Sequence, residues 1–463
     1  MAGGMQLSEG GDRHRSTLEK INGPFVLLLS VIGALGGLMF GFDIAIITGA
    51  GPFIEKQFQL DPVELGVAFS ALLFGCVIGS ALAGMLADRF GRRPVMIVVA
   101  IVFAATSIAT GLADSFVDFN IARFIGGIAV GAVSLVAPMY VAEVAPASLR
   151  GRMGALYQLA IVIGILVSYF INYALRNGGP DSWRHMFYTG AVPAVLYLIL
   201  MCIAPETPRH LVRKGETQKA RALLVHTIGE EAANAETNDI EVSLSRGQPK
   251  IADFLKPNVR TPLIIGFFLA ILIHFSGVNT VIDYAPLIFK SAGFNIDAAL
   301  LSTFVVGIAN LVFTLISFWI IDRIGRRPVY IFGSIGMGLT LVALVAAVVT
   351  GHFTGMVVLV LLVAYLMFFA SCIGPVFWTL VPEIFPNHVR SGAMIVPVLV
   401  QWFANGVVVF IFPSLFAGFG QAITFGLLAA ACLLQAFFAY LFVPETKGRS
   451  LEEIALQWER PSR

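Results

Sequence analysis

The chain has 463 residues, of which 57% are hydrophobic and 13% charged, and its net charge is +2. A soluble domain carries about 25% charged residues, so lipid is the expected solvent, and the near-neutral balance offers no argument for nucleic acid. The four cysteines, Cys76, Cys202, Cys372 and Cys432, sit in apolar runs without CxxC spacing, which argues against a disulfide framework or zinc site and leaves small packing residues as their role.

A membrane-spanning helix takes about 20 apolar residues, and twelve such runs follow one another along the chain, near 25–50, 64–87, 94–113, 118–142, 152–175, 185–204, 261–289, 298–321, 328–350, 354–381, 393–416 and 420–443. The expected fold class is an all-α integral membrane protein with twelve transmembrane helices. The polar start carries Arg13, Arg15 and Lys20, and the first apolar run is too long for a signal-peptide core. Between runs six and seven lies the only long polar segment, where Ala220, Leu223, Leu224 and Ile228 recur at helical spacing and predict short helices on the membrane face.

Three motifs occur twice in register. Asp88-Arg89-Phe90-Gly91-Arg92-Arg93-Pro94 recurs as Asp322-Arg323-Ile324-Gly325-Arg326-Arg327-Pro328, each a basic hinge between two apolar runs. Ala142-Glu143-Val144-Ala145-Pro146 with Arg150 recurs as Pro382-Glu383-Ile384-Phe385-Pro386 with Arg390, and Pro205-Glu206-Thr207 as Pro444-Glu445-Thr446. The chain is therefore an internal repeat of two similar halves, an arrangement used by transporters that hold a substrate between the halves.

Every strongly basic loop follows an even-numbered span, and the opposite loops are short, poor in cations and carry acids such as Asp61, Glu64, Asp114 and Asp118. Basic loops stay in the cytoplasm, so both termini and the central segment are expected there. Gly33, Gly37 and Gly41, Gly75 and Gly79, and Gly127 and Gly131 recur every four residues, the spacing that allows helix backbones to approach. Gly277 and Pro286 in span seven and Gly374-Pro375 in span ten are helix breakers. Irregular backbone at membrane depth is tolerated inside protein or beside a water-filled cavity, so these spans are candidates for cavity-lining, moving helices.

Three charges lie inside apolar spans, where an ionisable side chain is expensive and by default functional. Asp43 comes 18 residues after Phe25 in span one, and Arg123 comes 20 residues before Glu143 in span four. At about 1.5 Å rise per residue both sit roughly 27–30 Å from the same face. Two readings are open: a proton-coupling pair, in which the carboxylate changes its proton affinity as a cavity opens to one side or the other, or a fixed salt bridge. Asp283 is the third charge, on the same helix face as Asn279. It is read either as a water-facing acid near a helix end or as a group that binds substrate hydroxyls or a second proton.

Uncharged polar side chains complete the set: Gln158, His274, Asn279, Asn310, Gln401 and Asn405, with Phe40, Trp378 and Trp402 at comparable positions. Amides donate and accept hydrogen bonds, and with aromatic faces beside them they suit an uncharged polyhydroxylated molecule. Any one of them alone serves equally well as glue between helices.

The two basic hinges, Pro205-Glu206-Thr207-Pro208-Arg209, Pro444-Glu445-Thr446-Lys447-Gly448 and Gly374-Pro375-Val376-Phe377-Trp378 resemble the sugar porter family of the major facilitator superfamily, in particular its bacterial proton-coupled xylose and hexose symporters. The resemblance covers residues 25–455. It implies two pseudo-symmetric six-helix bundles, 25–204 and 261–443, between a cytoplasmic tail 1–24, a cytoplasmic helical linker 205–260 and a tail 444–463. It implies alternating access to one sugar site formed by Gln158, Asn279, Trp378 and Gln401, with Phe40, Asn310 and Trp402 nearby, and His274 and Asp283 stand at that site as this chain's own substrate-binding candidates. It places Asp43 on the proton-carrying acid and Arg123 on its partner. Asp88, Arg92, Arg93, Glu143, Arg150, Glu206, Arg209, Asp322, Arg326, Arg327, Glu383, Arg390 and Glu445 resemble the cytoplasmic charge network that latches the outward-facing state. Two positions depart from the family. Ile273-His274 replaces its paired amides, and Asp283-Tyr284 replaces its tandem tyrosine.

The expected function is therefore proton-coupled symport of a pentose or hexose across a bacterial-type inner membrane, without cofactor or metal, by a monomer whose partners are a small sugar or polyol, protons and the bilayer. A facilitative uniporter of the same fold is the runner-up, separated by whether Asp43 titrates during transport. A non-transporting sugar sensor is expected to carry long signalling extensions, and a drug exporter a more apolar cavity. No nucleophile and base pair or metal-ligand cluster suggests an enzyme.

Overall fold

Twelve helices long and apolar enough to cross a membrane run through the described residues. The computed structural model describes residues 21–245, 254, 256–386, 389–447, 449, 453–454 and 458, without the side chains of residues 257, 318, 322 and 391. The expected tail 1–24 and the tail 444–463 lie largely outside these residues, as does part of the segment 205–260.

Spans one to six are Gly23–Phe58, Pro62–Phe90, Arg92–Leu112, Phe116–Val144, Arg150–Leu175 and the pair Ser182–Tyr188 with Ala191–Ile203. Three short helices follow, Pro208–Arg213, Thr217–Ile228 and Glu230–Ser245, which match the periodicity around Leu224. Span seven is broken into Pro257–Phe275, Val278–Asp283 and Ala285–Ser291. Spans eight to twelve are Ile296–Ile324, Arg326–Val349, Gly355–Glu383, Ile395–Gly418 and Gly420–Phe442.

Local chemistry sets the ends. Asp61 and Glu64 form a reciprocal capping box, each side chain accepting from the other's backbone N–H at 2.8 and 3.0 Å. Ser115 and Asn295 cap spans four and eight in the simpler way. Both breakers act as expected. Gly277 adopts φ +85° and interrupts span seven, and its neighbour's freed carbonyl, Ser276 O, accepts from the Tyr365 hydroxyl at 2.9 Å. In span ten, Phe369–Ile373 is a π-helical turn just before Gly374-Pro375.

One face of the bundle carries the short helices and the first described residues: Asn22 N donates to Thr227 O at 2.9 Å, and Phe25 packs edge-on against His226. We call it the linker face and the opposite one the far face. Within the first half, spans two and four cross through glycine. A Cβ on Gly75 or Gly79 would stand 2.1 or 2.0 Å from the carbonyls of Phe124 and Ile128, and one on Gly127 or Gly131 2.0 or 2.2 Å from those of Leu72 and Cys76. The two backbones thus touch over two turns.

The halves meet where span two packs on span eleven, span five on span eight, and span seven on span one. These contacts gather toward the far face. Gly66 sits under Phe410 O, Tyr169 packs over Gly307, and Tyr284 stacks between Phe69 and Phe412 at centroid distances of 4.3 and 5.1 Å. Tyr284 also donates to Val409 O at 3.0 Å.

Candidate substrate and proton site

The Asp43 and Arg123 side chains meet. Arg123 Nη1 donates to Asp43 Oδ1 at 2.6 Å and Nη2 to the Asp43 backbone carbonyl at 3.3 Å. The residues are 6% and 2% exposed. Spans one and four bring them to one depth, and the guanidinium also lies 5.3 Å from the centre of the Phe187 ring in span six. Removing either partner would leave an uncompensated buried charge.

Near the middle of the seam, Phe40 of span one and Trp402 of span eleven pack edge to face with centroids 5.4 Å apart. Gln401 and Asn405, both buried, lie one turn apart on span eleven. His274 sits directly before the break in span seven, beside Gln401. Both His274 ring nitrogens, Trp402 Nε1 and Asn405 Nδ2 are buried without a completed hydrogen bond. Buried polar groups are ordinarily paired, so these four atoms are conspicuous exceptions among the described residues. Gln158 and Asn279 are half-buried, Asn310 is buried at 6% exposure, and Trp378 is 42% exposed with its ring edge-on to Phe377.

Asp283 is not a water-facing acid. It is 4% exposed, with Oδ1 buried and unpaired, because Val278–Asp283 is driven into the seam after the turn at Gly277. Around it the structure gathers residues that sequence reasoning missed. Tyr169 of span five lies within electrostatic reach and beside Thr48 of span one. Ser168, Asn172 and Thr48 are buried with unpaired oxygens. Ser168, Tyr169 and Asn172 fall at helical spacing on one face of span five, a signal the charged residues overshadowed.

On the linker face the two halves build the same cluster twice. Glu206 accepts from the backbone N–H groups of Arg92 and Arg93, both at 3.1 Å, and Glu445 accepts from those of Arg326 and Arg327 at 3.1 and 3.2 Å. Each carboxylate therefore caps the start of spans three and nine, where the helix dipole favours an anion. Gly91 and Gly325 precede those starts with φ +104° and +116°, and a Cβ there would collide with Glu206 and Glu445. Arg92 reaches Glu143 at 2.8 Å and Asp88 at 3.3 Å, and Arg326 lies 3.4 Å from Glu383. Thr446 donates to Glu383 at 2.6 Å. Burial pushes the neighbouring His210 imidazole below its ordinary pKa.

Two expected members of that network, Arg209 and Arg150, are placed differently. Arg209 bonds Ser243 at 3.3 Å within the short helices. Arg150 donates to Ala142 O at 2.9 Å and lies 3.9 Å from Glu236 rather than joining Glu143. Arg390 donates to Phe385 O at 3.2 Å. The Asp322 side chain lies outside the described residues.

Over residues 29–458 the chain matches the family described as "Sugar (and other) transporter". It is 35% identical over 441 residues to the arabinose-proton symporter of Bacillus subtilis, covering 94% of this chain and 95% of that one. It is 39% identical over 457 residues to the glucose transport protein of Synechocystis, covering 94% and 97%. Among solved structures, the partially occluded inward open conformation of the xylose transporter XylE from E. coli matches with a TM-score of 0.84 at 33% identity, covering 92% of this chain and 100% of that one.

Proposed function

The chain belongs to the "Sugar (and other) transporter" family, and from that premise we propose that it is a secondary active transporter that carries a monosaccharide, a pentose or a hexose, into the cell together with a proton. The linker face is the cytoplasmic side, both termini lie there, and the membrane is the inner membrane. The far face opens to the exterior. Access alternates as the seam closes at one face and opens at the other.

The observation that carries this reading is the buried pair of Asp43 and Arg123, 2.6 Å apart. A carboxylate beside a guanidinium is ionised, and drying the site or withdrawing the cation favours its proton. A change in the seam that separates spans one and four thus exchanges a proton with whichever solution the cavity faces. The neighbouring relatives include a protein named as a proton symporter for arabinose, which supports the coupling.

The sugar site lies beside the pair of Phe40 and Trp402, with Gln401, Asn405, His274, Gln158 and Asn279 supplying hydrogen bonds and Trp378 and Asn310 closing its sides. An aromatic face takes the apolar face of a sugar ring, and the amides take its hydroxyls. His274 replaces one amide and limits which hydroxyl pattern fits.

The test is uptake of labelled pentoses, hexoses and polyols into proteoliposomes, with and without an inward proton gradient, for the natural chain and Asp43→Asn. Symport predicts gradient-dependent accumulation that Asp43→Asn reduces to exchange or downhill flux. Equal, gradient-independent flux in both proteins would instead assign a uniporter.

A further inference from the structure

The far-face seam buries a second acid that the coupling pair does not use. Asp283 belongs to the second half, yet its carboxyl is packed against the first, with the segment Val278–Asp283 on span one and on span eleven. The charged and titratable groups that face it are few. Tyr169 of span five and Tyr284 next to it in sequence lie within its electrostatic reach, and so does Arg123 of span four. Span one contributes Asp43 through Arg123, and span eleven has no titratable carboxyl or amine. Arg123 already donates to Asp43 through both terminal nitrogens. One guanidinium therefore stands against two buried carboxyl groups, and with Asp43 ionised an ionised Asp283 would leave the seam with a net negative charge.

An ionised carboxylate without a hydrogen bond or its own cation is strongly disfavoured away from water. Asp283 Oδ1 has no such partner. From this geometry we propose that Asp283 is a second proton-binding site, which takes a proton from the far-side solution when the far gate closes and returns it to the same solution when the gate opens. The proton is not carried across; it sets how readily the gate closes. The Asp283 O–H bond forms on closure from an external hydronium or water proton and breaks on reopening, so no other reactant is needed. Tyr284 closes the same gate by stacking between Phe69 and Phe412, one residue from the acid, and ties the protonation to closure. The inference rests on the alternating-access reading of the seam, and adds a site to it.

The experiment reads the gate without sugar. With the four cysteines replaced by alanine, Tyr169→Cys places a thiol in the seam, where the residue packs over Gly307 of span eight and is 2% exposed. Its labelling by a membrane-impermeant maleimide from the far side is measured against external pH, with Asp283 and with Asp283→Asn. The ratio of the two rates cancels the thiol's own ionisation and any contribution of Asp43. It is expected to rise with external pH, by at most about tenfold per pH unit. A ratio that stays constant overturns the proposal. Should Asp283→Asn not fold, Asp283→Tyr takes its place, and the Asp283 chain can also be judged alone, since labelling that follows only the ionisation of a free thiol overturns it equally. Loss of symport in the uptake assay leaves this readout intact, so the two claims fail separately.

Discussion

Arg176 at the end of span five and Asp297 at the start of span eight meet at 2.7 Å across the seam, so the far gate is latched by an ion pair joining the two halves. The arginine is also fixed by donating to Tyr173 O at 2.6 Å and by stacking over the Tyr173 ring at 3.9 Å. Asp297 is more than half exposed, so the pair contributes about 0.2–1 kcal/mol. Asp297→Asn is expected to shift the gate toward opening by less than tenfold. Distances between spin labels on the far ends of spans five and eight would check this, with a longer-distance population growing in the variant. An unchanged distribution would mean that apolar packing alone holds the gate.

The symmetry of Glu206 and Glu445 makes a paired prediction. Each caps a helix with a carboxylate accepting from two backbone amides, so Glu206→Gln and Glu445→Gln should each destabilise the protein by about 1–2 kcal/mol. Thermal unfolding in detergent is the measurement. A large loss for one and none for the other would show that the two halves do not use their repeated motif alike.

The crossing of spans two and four leaves no room for a methyl group. Gly127→Ala would place Cβ 2.0 Å from Leu72 O, whereas Gly84→Ala on the same pair of spans meets only Leu135 Cδ2 at 4.0 Å. Overpacking of this kind costs about 1–3 kcal/mol. Gly127→Ala should therefore lower the unfolding temperature while Gly84→Ala leaves it unchanged or raises it. Equal effects would contradict the close approach.

His274→Gln tests the substrate site. The amide offers two N–H donors and a carbonyl acceptor where the imidazole beside Gln401 offers one donor and one acceptor. One neutral hydrogen bond contributes about 0.5–1.5 kcal/mol, so the ratio of KM values between two sugars differing at one hydroxyl should change by roughly threefold to tenfold. A uniform change for every sugar would place His274 outside the specificity contacts.

Much of the fold is written in the chain because lipid imposes a simple rule. Apolar runs longer than a bilayer become helices, and Gly277 breaks span seven since its φ of +85° suits a residue without Cβ. Asp43 and Arg123 could be paired from sequence because equal depth follows from helical rise alone. Burial of Asp283 could not be read in that way. It depends on how a broken helix is aimed after Gly277 and on which spans of the other half close over it, and neither is a local property. The same holds for Arg176 with Asp297, whose distance reflects the packing of span five on span eight. The motifs place Arg150 and Arg209 in the charge network, but the short helices draw them to Glu236 and Ser243.

The most direct test of the account is sugar-induced proton movement in proteoliposomes loaded with a pH-sensitive dye, with no gradient imposed and the transported sugar added outside. Asp43 as the coupling acid predicts acidification of the lumen on sugar addition for the natural chain and none for Asp43→Asn, although the variant still exchanges sugar. Acidification of equal extent in the variant, or sugar entry without proton entry in the natural chain, would contradict it.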